Sequence, residues 1–125
     1  MNAAHRGALL SLFAIAEGAT GLGLLVVPAI LLYLLFGTRQ MAPEVPVIAR
    51  ICGAALLALA AASWGARSDK AKQGTLGLLV GIALYNCLAA VLLAYAALVL
   101  DMTGILLWPA ALYHCLLYTS DAADE

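Results

Sequence analysis

Glu17, Asn86 and His114 are the residues of this chain whose chemistry departs most from their surroundings, because each lies inside a long apolar run. A carboxyl, an amide and an imidazole at a similar depth could relay protons, bind a polar headgroup or hold a small ligand. The same groups could instead be hydrogen-bond ties between helices, worth about 0.6 kcal/mol each on average. An ionisable side chain in the middle of a transmembrane helix costs about 2.5–3.5 kcal/mol on insertion scales, so Glu17 is the leading candidate for function. Its helical neighbours at three and four residues are Phe13, Ala14, Thr20 and Gly21. Three of these are small, which suits a face packed on other helices, so Glu17 is expected to point into a bundle. Tyr85 stands beside Asn86 and joins the candidate site.

Arg50, near the start of the second apolar run, has two possible fates. A long cationic chain close to a helix end snorkels toward the interface. A salt bridge to Glu17 would have to cover roughly 9 Å of depth. Gly53 and Ala54 lie three and four residues further on and give Arg50 a small-residue face. Gly77 and Gly81 form a Gly-x-x-x-Gly motif, and Ala54, Ala58 and Ala62 form a similar ridge; both let a second backbone approach closely. Asn86 is about 180° around the helix from Gly77. The third apolar run is therefore expected to be buried on two sides, or to offer one side to a homodimer; a membrane-complex partner is the other partner expected. Cys52 and Cys87 have no Cys-x-x-Cys spacing and no histidine at ligand spacing, and read as packing residues. His5, next to Arg6 at the N-terminus, reads as solvated.

The elements that must position these residues are set by composition. Hydrophobic residues make up 66% of the 125, charged residues 10%, and the mean hydropathy is +1.04. Water-soluble domains carry about 25% charged residues. The solvent of this chain is therefore a lipid bilayer, and each span must be helical because lipid offers no partner to backbone polar groups. The expected fold is all-α: an integral membrane, antiparallel four-helix bundle in one domain. Spans are predicted at about 7–27, 45–66, 73–100 and 103–114. Pro28–Phe36 is predicted as a short interfacial helix with Pro28 in its first turn; the alternative is one kinked, tilted span. Asp101–Gly104 is expected to be a tight turn, and Ser68 or Asp69 to turn the chain after Arg67.

Counting lysine and arginine sets the orientation. Arg6, Arg67, Lys70 and Lys72 gather on one side, Arg39 and Arg50 on the other, which puts the N-terminus in the cytoplasm. Trp64 then falls near the inner interface and Trp108 near the outer one. Ala14-Ile15-Ala16 resembles a signal cleavage site, but the apolar run continues past it to Phe36, and the segment is read as retained.

Residues 115–125, Cys-Leu-Leu-Tyr-Thr-Ser-Asp-Ala-Ala-Asp-Glu, resemble the conceptual translation of a transposase-type sequencing adapter. That resemblance implies a non-native tail, a lost C-terminus, and a residue 114 that is natively His or Gln. The tail carries Asp121, Asp124 and Glu125 and no base, unlike the cytoplasmic edge of a membrane helix.

No phosphate loop, dinucleotide fingerprint, zinc-protease motif or nucleophile elbow occurs. No basic stripe suggests nucleic acid, and no cofactor is implied. The order of parts is nonetheless familiar. A glutamate-bearing first span precedes Pro28-Ala29-Ile30-Leu31-Leu32-Tyr33-Leu34-Leu35-Phe36-Gly37. Then come Ala49-Arg50-Ile51-Cys52-Gly53, Leu84-Tyr85-Asn86 and Leu107-Trp108-Pro109-Ala110. Up to about residue 113 this resembles small four-helix bacterial inner-membrane proteins of unknown function, broadly the DoxX-like group. Some DoxX-like proteins are subunits of quinone-linked sulfur oxidation, but no motif here carries that activity over. Three functions are expected in descending order. The first is a structural or accessory membrane subunit, which is not an enzyme. The second is a small proton-coupled transporter or channel using Glu17 and Asn86. The third is a quinone- or lipid-linked redox subunit with Tyr85 or His114 beside the quinone.

Overall fold

The computed structural model describes residues 3–68 and 72–122. They form five α-helices: α1 (Ala3–Val26), α2 (Pro28–Phe36), α3 (Glu44–Ala66), α4 (Lys72–Leu98) and α5 (Leu107–Ala122). The described residues contain no strand. Asp69, Lys70, Asp124 and Glu125 lie outside the described residues. Three helices, Ala4–Val26, Glu44–Ala66 and Gly74–Leu98, are long and apolar enough to cross a membrane. A third or less of the most apolar stretch of each is buried within the chain. Ile15, Leu22, Ile51, Val80, Leu84 and Leu92 are among the aliphatic side chains left exposed, an outer surface that lipid can cover and water cannot.

The contacts divide the chain into two units, Met1–Leu32 with Arg39–Lys70, and Tyr33–Thr38 with Ala71–Glu125. In the first, α1 buries a single stripe: Leu10, Phe13, Ala14, Glu17, Gly21 and Leu24. The spacing of three and four residues keeps the stripe on one face. The register against α3 is antiparallel. A Cβ on Gly7 would meet the Arg67 carbonyl at 3.1 Å, one on Gly18 would meet Ala60 at 3.6 Å, and one on Gly21 would meet the Gly53 carbonyl at 2.7 Å. The face that α3 buries is Ala49, Gly53, Ala60 and Ser63. Ala54, Ala58 and Ala62, expected as its packing ridge, are exposed. The contact face is set instead where Gly21 of α1 and Gly53 of α3 let the two backbones touch.

Pro28 divides α1 from α2. It has no N–H to donate into the preceding turn, and Val27 instead starts the next helix by accepting from Ile30 N at 3.1 Å and Leu31 N at 3.2 Å. Pro28 thereby occupies the first helical position, which suits its fixed φ. The chain bends enough there for a Leu31 methyl to lie 3.2 Å from where a Cβ on Gly23 would stand. The break separates α1 from α2 at Val27.

In the second unit α4 ends earlier than expected, and α5 starts later. Asp101 takes a left-handed φ of 52°, as residues just past a helix end do, and Met102 N donates to the Ala96 carbonyl at 3.1 Å. The turn does not close at Gly104 as expected. Leu106 N donates to the Leu34 carbonyl at 2.8 Å, and Gly104 lies against the backbone of Leu35 and Phe36. This anchorage to the end of α2 keeps Thr103–Leu106 out of helix, so α5 begins at Leu107. Its apolar part, Leu107–Leu117, is about 16 Å long, short of the roughly 30 Å hydrocarbon core.

Candidate functional site

Asn86 and His114 are brought together. Asn86 is fully buried on the face of α4 that also buries Ile82 and Ala90. His114 is buried on α5 with Leu107, Ala111 and Leu117. The Asn86 amide nitrogen donates to the Ile82 carbonyl at 2.9 Å, one turn back. That bond fixes which way the amide faces, because a carbonyl can only accept. Oδ1 is therefore the atom that lies 2.7 Å from His114 Nδ1. An amide oxygen cannot donate, so His114 Nδ1–H is the donor in this bond.

Two tyrosines frame the ring edge-on. Tyr85 stands at 5.4 Å between centroids and 84° between planes, Tyr113 at 5.1 Å and 69°. Such edge-to-face pairs add about 0.5–1.5 kcal/mol beyond buried area. Tyr113 was not singled out from sequence. Its signal is position: it is the chain neighbour of His114. Tyr85, by contrast, is the expected neighbour of Asn86.

Glu17 belongs to the other unit. It lies at the centre of the buried stripe of α1 with only 2% of its surface exposed. Gly18, the next residue, faces Ala60, and Gly21, one turn on, faces Gly53 and Leu57. The small residues beside it let α3 close over this face. Ser63, fully buried on the opposing face of α3, donates to the Leu59 carbonyl at 2.8 Å. It escaped the sequence reading because a serine among alanines carries no distinctive spacing.

Arg50 stays near the start of α3, where a snorkelling side chain would lie, and does not reach Glu17. It is exposed, yet its Nε donates to the Leu25 carbonyl at 3.2 Å. The carbonyls of a helix's last turn have no partner in the helix itself, and Leu25 lies in the last turn of α1. A cation there also complements the negative end of the helix dipole. Leu25 is about 12 Å along the axis from Glu17, so the bridge to Glu17 is replaced by a cap on α1.

Gly21 and Gly53 sit at the α1–α3 contact, whereas Gly77 and Gly81 are exposed, with nothing within 4 Å of a Cβ at either. The described residues include no group of three or more His, Cys, Asp or Glu arranged to hold a metal. Cys52 and Cys115 are exposed and Cys87 is half-buried, all as free thiols. Across helices, the Asn86–His114 bond ties α4 to α5 and the Arg50–Leu25 bond ties α3 to α1. Comparison with protein-family models, curated proteins and solved structures finds no match for this chain.

Proposed function

We propose that this protein is a structural or accessory subunit of the bacterial inner membrane, with its N-terminus in the cytoplasm. The observation that carries the reading is the Asn86–His114 bond at 2.7 Å, backed by the Asn86–Ile82 bond. An intramembrane amide held by its own helix on one side and a neighbouring helix on the other is committed to holding helices together. Arg50 is likewise committed to the end of α1. The exposed aliphatic faces of α3 and α4 leave room for a larger membrane assembly. The inside-positive count of Arg6, Arg67, Lys70 and Lys72 against Arg39 and Arg50 supports the orientation. Kinship with DoxX-like proteins is part of the same proposal and rests on the order of sequence parts alone.

Glu17 favours a second reading, a proton-coupled transporter, because a carboxyl 2% exposed in an apolar helix is costly to keep without use. Reconstitution into liposomes loaded with a pH-sensitive dye separates the two. The subunit reading expects proton leakage equal to that of empty liposomes. Flux that depends on pH and disappears in Glu17→Gln overturns it in favour of transport.

A further inference from the structure

We infer that Arg50 is the centre of a site for the phosphodiester of an anionic phospholipid, at the end of the α1–α3 pair where α1 gives way to α2. Arg50 is exposed, and among the described residues its single bond is the one from Nε to the Leu25 carbonyl at 3.2 Å. That bond takes one of five N–H donors. It holds the planar group against the last turn of α1, and the four donors on Nη1 and Nη2 meet no acceptor among the described residues. A guanidinium fork matches the oxygens of a phosphate two at a time. Three residues past Leu25, Pro28 opens α2. Val27 accepts the N–H groups of Ile30 and Leu31, and the N–H of Ala29, in the first turn, has no acceptor within the helix. The bond to Leu25 therefore sets the guanidinium within about one turn of chain from the positive end of α2, which also attracts an anion.

The surroundings select the kind of anion. This unit holds three acids, Glu17, Glu44 and Asp69. Glu17 is buried and lies about 12 Å along α1 from Leu25. Glu44 lies about 9 Å along α3 from Arg50 and about 120° around it. Asp69, outside the described residues, comes after Ala66, which ends α3 about 24 Å along the axis from Arg50. Asp101 and the acids of the tail belong to the other unit, and Arg50 forms no ion pair with a described residue. No carboxylate of the α1–α3 pair is placed to receive the ammonium of a zwitterionic headgroup, so a headgroup whose only charge is the phosphate is favoured. Val26, next to Leu25, Val47, one turn before Arg50, and Ile51, next to it, are all exposed. A lipid covers these with its acyl chains while its phosphate meets the fork; a soluble phosphate leaves them bare. The depth agrees, because a long cationic chain a short way inside a span reaches for the headgroup level.

The chain has two tryptophans, Trp64 and Trp108. Trp64→Phe and Trp108→Phe with Val47→Trp leave one reporter, on the Arg50 side of α3. The full-length protein is placed in phosphatidylcholine vesicles containing phosphatidylglycerol as the minor component. Bromine is put on the acyl chains of one lipid or the other, at equal bromine content. Bromo-phosphatidylglycerol should quench the reporter several-fold more than bromo-phosphatidylcholine, and Arg50→Gln should bring the two to equality. Unchanged helical circular dichroism and unchanged quenching by bromo-phosphatidylcholine show that the variant is still inserted. Should Arg50→Gln fail to insert, Arg50→Lys serves: it keeps the charge without the fork, and a reduced preference is expected. A second chain, with Trp108→Phe alone, reports from Trp64 near the other end of α3, where Arg50→Gln should change nothing. Equal quenching by both lipids at the Val47 reporter overturns the site. So does an undiminished preference in Arg50→Gln or Arg50→Lys, or an equal response at Trp64, which would make the effect one of net charge. Abolition of the preference by inorganic phosphate, and not by potassium chloride at the same ionic strength, overturns the lipid in favour of soluble phosphate.

Discussion

Gly21 and Gly53 each occupy the space the other's side chain would need: a Cβ on either one would stand 2.7 Å from the other's carbonyl oxygen. The relationship is reciprocal, and both obstacles are backbone. A side chain can rotate away from an intruding methyl group; a helix backbone must shift as a whole. Gly21 would also press on Leu57 N at 3.0 Å, and Gly53 on the Leu24 Cβ at 2.9 Å. The α1–α3 contact is therefore set by these two positions.

Gly21→Ala should destabilise the folded protein by about 1–3 kcal/mol, the usual cost of forcing extra volume into a packed contact. Gly77→Ala offers the matched control, because nothing lies within 4 Å of the new methyl group. It should be neutral, or stabilising by up to about 1 kcal/mol from helix propensity. Reversible unfolding in mixed detergent, followed by far-ultraviolet circular dichroism, measures both. Equal losses from the two substitutions would remove Gly21 from its place at the helix contact. If the exposed Gly77–Gly81 face also joins two copies of the chain, Gly77→Ile should abolish the dimer on cross-linking without changing the unfolding curve.

The Asn86–His114 bond should show up as coupling. Asn86→Leu removes the acceptor and leaves the imidazole N–H buried, a loss of about 1–3 kcal/mol. His114→Gln should cost far less, because a glutamine amide N–H can reach the same oxygen. A double-mutant cycle between Asn86→Leu and His114→Leu should return about 0.6–1.7 kcal/mol, the span measured for interhelical hydrogen bonds in membranes. Coupling near zero would mean that the two residues meet without holding each other.

Helix positions were legible because apolar runs are interrupted by residues with one physical meaning each. Pro28 cannot donate, and the first helix stops at Val26. Asp101 accepts a left-handed backbone, and α4 stops three residues before it. Of the three polar residues read as lying at a similar depth, Glu17, Asn86 and His114, two meet: Asn86 and His114. Rotation about each axis was harder to read. Ala54, Ala58 and Ala62 look like a packing ridge, yet α3 turns its other face inward, since a helix of alanines gives no face a composition of its own. The partner of Arg50 was hidden for a related reason. The group it satisfies is a backbone carbonyl at the end of α1, and backbone demand leaves no trace in residue type. The same holds for the start of α5, which depends on where the end of α2 arrives.

Gly104 tests that last dependence. It is buried, and a Cβ there would overlap the carbonyl group of Leu35 and the nitrogen of Phe36. Both obstacles are backbone, and the end of α2 is further tied by the bond from Leu106 N to the Leu34 carbonyl. Gly104→Ala must push the α4–α5 connection away from α2 and break that bond. The loss should be about 1–3 kcal/mol, with its effect concentrated at the connection. Amide hydrogen exchange of the detergent-solubilised protein should show Leu106 and Leu107 losing protection while Ile82–Ala90 in α4 keep theirs. Gly37, which faces Thr103 and Gly104 with a φ of 77°, should respond in the same way to alanine, through backbone strain as well as crowding. Retained protection at Leu106 in Gly104→Ala would show that α5 begins where it does for a reason of its own, independent of α2.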